Sequence, residues 1–232
     1  DAGPDYKNSY RGYMRTRVSQ VQPEPVRDSV PFAEIGAQDA VKADVVYFAG
    51  CMSHLTPSVK RAMGKIFSAA GEKVWAMDDD GGICCGRPMM LAGKFREARE
   101  LIRRNSDMIW RSGAKTLVTS CPICLKVFRE SYYLEAEVLH HSQYISRLIE
   151  DGTLNLRYSH SKVVYHDPCE LGRGSGIYEE PRKVLAHVAN LVPTGYDGEN
   201  SLCCGGSLGN ISLSQAKRRT IATDMASKLT AS

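Results

Sequence analysis

"VVYFAGCMSH" (45–54) and "VVYHDPCELG" (163–172) begin alike, each an apolar, β-branched run that breaks into a turn at a cysteine. Such a run predicts a short buried strand with a thiol just past its C-terminal end. The two cysteines, Cys51 and Cys169, lie 118 positions apart. A second pair of stretches keeps step with them. "GGICCGRPM" (81–89) and "SLCCGGSLG" (201–209) each carry Cys-Cys-Gly, with Cys84 to Cys203 and Cys85 to Cys204 both 119 positions. "SDMIWRSG" (106–113) also resembles "TDMASKLT" (223–230) in position and pattern. Three cysteines in one register make the chain an internal repeat.

The first copy goes further than the second. Cys85 is followed 36 positions later by Cys121 of "SCPIC", whose partner is Cys124. The same step from Cys204 falls near position 240, beyond Ser232, so the second copy is expected to stop before its own Cys-x-x-Cys. With Asp1 at its start, the chain reads as a processed or excised piece.

Strands alternate with helical periods. A strand at 44–50 leads to Cys51; Thr56 is then placed to cap a helix with Pro57 at its first position. Val59, Met63, Ile66 and Phe67 share a face of that helix before Gly71. A strand at 73–77 follows, then a helix from Ala92 to Ser112 with Phe95, Ala98, Leu101, Ile102 and Ile109 inward and Gly113 ending it. Strands at 116–119 and 137–139 come next, the second before a helix that Ser142 is placed to cap, and the pattern restarts at 162. This predicts an α/β fold of two pseudo-repeated lobes, with small mostly parallel sheets flanked by helices. The lobes span 44–150 and 162–232; residues 1–43, polar and punctuated by Pro and Gly, read as a linker or wrap. Every cysteine then falls at or after the C-terminal end of a strand, where open α/β sheets place their ligand sites.

Composition excludes several classes. Net charge is +4, with no basic stripe that would imply nucleic acid, and no apolar run is long enough to span a bilayer. "GGSLGN" and "GRGSG" lack the spacing of phosphate loops. The eight cysteines cluster in pairs, which suits shared ligation better than cross-linking and points to a reducing cytosol or a cytosolic membrane face.

Thiolates select zinc, copper(I) or iron–sulfur clusters. Five in the first copy (Cys51, Cys84, Cys85, Cys121 and Cys124) exceed one zinc tetrahedron and suit a multi-iron centre. Adjacent cysteines in an extended segment point to opposite sides, so both reach one centre only where the backbone bends; Gly81, Gly82 and Gly86 provide for that. Pro122 suits the first position of a helix whose amides favour thiolate at Cys121. Arg87 is placed either to compensate charge there or to lie exposed. His166 reads as a residue holding the loop before Cys169 more readily than as a proton donor, and His140-His141 as a strand end. His54 is not needed as a ligand while five thiols are at hand.

The pattern Cys … Cys-Cys-Gly … Cys-Pro-x-Cys, written twice, resembles the cysteine-rich CCG domain. That domain occurs in heterodisulfide reductase and in the iron–sulfur subunits of glycolate, lactate and anaerobic glycerol-3-phosphate oxidising enzymes. "FAGCMSH", "GGICCGRPM", "TSCPICLKVF", "YHDPCELGRGSGIYEEPRKVL" and "SLCCGGSLGN" carry the resemblance, which covers nearly all of 45–232. It implies an oxidoreductase subunit in which each complete motif holds a non-cubane [4Fe-4S] cluster. The first would be ligated by Cys51, Cys84, Cys85, Cys121 and Cys124, the second by Cys169, Cys203, Cys204 and a further pair. It also implies a flavoprotein or ferredoxin-type iron–sulfur partner, and a cytoplasmic place, at the inner membrane face through that partner. "CCGGSLGN", with Leu208 and Asn210, is less glycine-dense than the family pattern, which puts the tightness of the second site in question. Three functions stay open: electron relay from a flavin-type partner, disulfide or thiol reduction at the cluster, and a zinc-bound structural module.

Overall fold

Four consecutive buried residues, Val45–Phe48, form strand β1 in the computed structural model, which describes residues 41–54, 56–78, 84–207, 210 and 212–231. A run buried at every position has no polar face, as a central parallel strand requires. A 3-10 turn, Cys51–His54, leads to helix α1 (Pro57–Ala70), strand β2 (Val74–Ala76), the short helix α2 (Arg87–Leu91) and helix α3 (Phe95–Ser112). Strand β3 (Thr116–Thr119), helix α4 (Pro122–Ser131), strand β4 (Glu137–His140) and helix α5 (His141–Glu150) complete the first copy. The second contains strand β5 (Lys162–Val163), helices α6 (Gly172–Ser175) and α7 (Glu179–Ala186), strand β6 (Asn190–Leu191), a 3-10 turn at Gly198–Asn200 and helix α8 (Gln215–Thr230).

The first sheet has the order β2-β1-β3-β4 and is parallel throughout. β1 and β3 run in step, Val45 beside Thr116 and Phe48 beside Thr119. Side chains alternate across the sheet. Val46 and Phe48 pack with Ile102 and Ile109 of α3 and Val127 and Phe128 of α4. Val45 and Tyr47 pack with Met63 and Phe67 of α1 and Ile145 and Leu148 of α5. The result is a helix–sheet–helix sandwich, the α/β class expected. β5 and β6 form a second, two-stranded parallel pair. The copies meet where Leu125 of α4 buries against Leu171 and Ile177. Gln143 of α5 adds a 3.1 Å bond to Glu180 of α7.

Several expected boundaries shift. The helix expected from Ala92 to Ser112 begins at Phe95: Gly93 turns into the left-handed region at φ 73° and separates it from the short helix α2, which ends at Leu91. The strands are shorter at 45–48 and 74–76, one residue longer at 137–140, and only two residues long at 162–163. Thr56 holds the cap position of α1 without a side-chain cap bond. The cap of α5 is His140 rather than Ser142: its ring accepts from the Ser142 amide while Gln143 accepts from the His140 amide. Apart from residues 41–43, the expected N-terminal linker lies outside the described residues.

Phe128 sits at the centre of the first face, its ring 4.9 Å from that of Phe48 and 4.5 Å from that of Tyr132. Removing it leaves a cavity that flanking backbone cannot fill. Phe128→Ala is expected to cost about 3–5 kcal/mol of stability, read as a lower urea midpoint.

Candidate metal centre

Because β1 and β3 end level and are adjacent, the loops after them share one edge of the sheet. Cys51 opens the turn after β1, and Cys121 follows β3 as the cap residue of α4. This is the point where the chain moves off to opposite sides of the sheet, β2 on one flank and β4 on the other, the usual crevice of an open α/β sheet. Cys124 stands one turn into α4, buried at 2 % exposure. Cys84 and Cys85 come from the loop between β2 and α2.

Four sulfurs run in a chain of contacts, Cys84 to Cys85 to Cys124 to Cys121, and Cys51 lies close enough to act on Cys84 electrostatically. Their proton affinities alternate along it. Cys85 is held down to about 3, chiefly by the thiol hydrogen bond from Cys124, and Cys121 is lowered for the same reason. Cys124 is pushed up, first by its bond to Cys121, and Cys84 is pushed up, first by its bond to Cys85. Each contact thus pairs a sulfur held down with one pushed up. Amides also favour the thiolates: those of Cys124 and Ile123 at Cys121, though no formal cap bond closes, and that of Arg87 at Cys85. Arg87 contributes through its backbone.

Glycine backbone makes room for this packing. Gly50 has φ 90°, and a Cβ there would lie 3.0 Å from Cβ of Cys121 and 3.4 Å from Sγ of Cys124. Gly86 has φ 96°, and its amide donates to Sγ of Cys84 at 3.3 Å. Gly205 repeats the device at φ 72°, its amide 3.4 Å from Sγ of Cys203. The bend expected of Gly81 and Gly82 lies outside the described residues.

Polar residues that the sequence did not single out brace the loops. Asp78, fully buried after β2, accepts from the amides of Ala49 and Gly50 at 3.3 and 3.0 Å, just ahead of Cys51. Asn105 of α3 donates to the Cys84 carbonyl at 3.0 Å and to the Tyr132 hydroxyl at 2.9 Å, and Tyr132 donates to the Cys85 carbonyl at 3.1 Å. The Asn105 Oδ1 has no partner among the described residues. A buried acceptor in that condition costs about 1–3 kcal/mol.

In the second copy Cys169, Cys203 and Cys204 interact electrostatically, and burial pushes the Cys169 thiol up. The bracing differs from that of the first copy. Asp167, 1 % exposed, forms a two-pronged ion pair with Arg182 and accepts from the Gly198 amide at 2.8 Å. His166 Nε2 donates to the Leu202 carbonyl at 2.9 Å, so this histidine ties the first loop to the Cys-Cys loop. Arg173 donates to the Ser201 carbonyl at 2.8 Å. Asn210 brings its amide within 3.9 Å of Cys203 Sγ, while Leu208 lies outside the described residues. His140, pushed down to about 2 by burial, serves its helix cap, and the side chain of His54 lies outside the described residues.

No two of the eight cysteines are joined by a disulfide. Among the described residues, no three His, Cys, Asp or Glu side chains already enclose a single-ion position. The donors fit a cluster in kind and number: soft thiols in mutual contact, with backbone cleared at Gly50 to lie against them. Among the described residues, no helix is long and apolar enough to cross a membrane.

A subunit of the dihydromethanophenazine:CoB–CoM heterodisulfide reductase of Methanosarcina mazei is 30% identical over 220 residues, covering 86% of this chain and 49% of that protein. A subunit of the fumarate reductase (CoM/CoB) of Methanothermobacter marburgensis is 32% identical over 68% of this chain and 32% of its own length. A probable iron-sulfur-binding oxidoreductase of Bacillus subtilis, FadF, is 25% identical over 81% of this chain and 28% of its own. The chain therefore spans about half or less of these relatives. No solved structure matches it. The family model of the cysteine-rich domain matches twice, at residues 45–129 and 163–231, once over each copy of the repeat, and the chain belongs to the cysteine-rich CCG domain family.

Proposed function

We propose that this chain is an iron–sulfur electron-transfer module of an oxidoreductase, with Cys51, Cys84, Cys85, Cys121 and Cys124 holding a non-cubane [4Fe-4S] cluster. Cys169, Cys203 and Cys204 contribute to a second centre, and residues 44–150 and 162–232 form the two lobes. The observation that carries the reading is the unbroken contact chain of four sulfurs with Cys51 beside it. The relatives support it, two being reductase subunits and one an iron-sulfur-binding oxidoreductase by name. When bound, the cluster supplies one-electron transfer. The residues of the chain supply the setting: glycine backbone admits the thiols, helix amides favour their deprotonation, and apolar packing behind Cys85 and Cys124 keeps water out. Electrons would pass from a flavoprotein or ferredoxin-type partner, in the cytoplasm or at the inner membrane face through that partner.

A second reading, reduction of a disulfide at the cluster, is favoured by the exposure of Cys51 and by the heterodisulfide reductase relative. Rapid freeze-quench spectra taken with a disulfide substrate separate the two, since only direct reduction changes the cluster signal without a partner present.

Purification without oxygen is expected to give about four irons and four sulfides for the first site, lost in Cys84→Ser. Stoichiometric zinc with negligible iron after reconstitution would replace the redox reading with a structural one. Gly50→Ala is expected to cost about 1–3 kcal/mol through its positive φ and to lose most of the iron while circular dichroism stays native.

A further inference from the structure

Asn105 occupies a wholly buried position on α3 between Ile102 and Ile109, where helical periodicity would place an apolar residue. Its amide nitrogen gives one N–H to the Cys84 carbonyl and the other to the Tyr132 hydroxyl, which passes its own proton to the Cys85 carbonyl. The amide orientation is forced, because turning it over would set oxygen against the Cys84 carbonyl. The oxygen left over has no partner among the described residues. A buried polar group kept half satisfied calls for an explanation.

The explanation lies in what the two donors hold. Adjacent residues of an extended chain direct their side chains to opposite sides, and here two adjacent sulfurs are kept in one group. Asn105 fastens the first cysteine's carbonyl to α3. Tyr132, the residue that ends α4, fastens the second cysteine's carbonyl to the helix whose first turn carries Cys124. Cys85 is therefore tied to α4 twice, through its sulfur at one end of the helix and through its carbonyl at the other.

We propose that Asn105 and Tyr132 are a positioning pair for the first thiol group, fixing the carbonyls of Cys84 and Cys85 so that both sulfurs face one centre. The proposal rests on reading those cysteines as cluster ligands. Both would act through the backbone carbonyls of Cys84 and Cys85.

Tyr132→Phe keeps the ring packing and removes only the hydroxyl, and Asn105→Ala removes both donors. Two readouts would be taken on the full-length protein purified without oxygen: the reduction potential with the paramagnetic spectrum of the loaded protein, and the iodoacetamide alkylation rate of each cysteine after metal removal, resolved by peptide mass spectrometry. Tyr132→Phe is expected to keep its iron and to shift the reduced-to-oxidised ratio about tenfold at fixed potential, about 59 mV for one electron. Its spectrum should change, and Cys85 should be alkylated several-fold faster while Cys121 is unchanged. Asn105→Ala should do the same with the larger gain at Cys84. Unchanged potential, spectrum and alkylation in a Tyr132→Phe protein that retains iron would overturn the pair while leaving the cluster reading intact. Wild-type protein without iron would overturn the cluster reading, and the alkylation rates would then decide the positioning role alone: faster supports it, unchanged overturns it.

Discussion

The level pairing of β1 with β3 is the constraint from which the site follows. Phe48 stands beside Thr119, so the loops that carry Cys51 and Cys121 leave the sheet side by side. A slip of one residue would exchange Leu117 and Val118 between the two helix layers, and both layers depend on them: Leu117 packs with Phe48 and Phe128, Val118 with Tyr47 and Phe67. The apolar packing on both faces therefore sets the thiol geometry at the edge. Gly50 and Asp78 refine it, one by clearing backbone and the other by gathering the two amides before Cys51.

The repeat conserves some devices and replaces others. Each Cys-Cys-Gly turn ends in a left-handed glycine whose amide returns to the first sulfur. Each also backs onto a later helix: Gly86 lies near the Ala98 carbonyl of α3 and Gly205 near that of Arg218 of α8. The ties between loops run in opposite senses. In the first copy a carboxylate after β2 takes amides from the loop after β1; in the second, Asp167 in the loop after β5 takes an amide from the segment after β6. The loops are thus tied with donor and acceptor exchanged, and charged residues, Arg182 and Arg173, add to the ties in the second.

Much of this was legible in the sequence because it is local. The apolar runs, Pro57 and Pro122 at helix starts and Gly71 and Gly113 at helix ends all act within a few residues, and the cysteines, though far apart, repeat in one register. The elements that escaped depend on distant partners. Asp78 begins a run of three aspartates, and its partners are amides 28 and 29 positions earlier. Asn105 and Tyr132 reach carbonyls 21 and 47 positions away, and no period marks them. A polar residue amid the apolar face of α3 was the one available sign. His140 escaped for another reason: histidine is an uncommon helix cap, and Ser142 offered the expected chemistry two residues later.

Exposure grades sharply across the first thiol group. Cys51 is open to solvent, Cys84 and Cys121 are half-buried, and Cys85 and Cys124 are closed off at 5 % and 2 %. The site therefore has a front and a back. An oxidant or an alkylating reagent diffusing in meets Cys51 first, and chemical wear begins at the thiol farthest from the packed interior. The sulfurs most deeply tied to α4 are reached last, so an injured site would loosen from its rim while its floor still held.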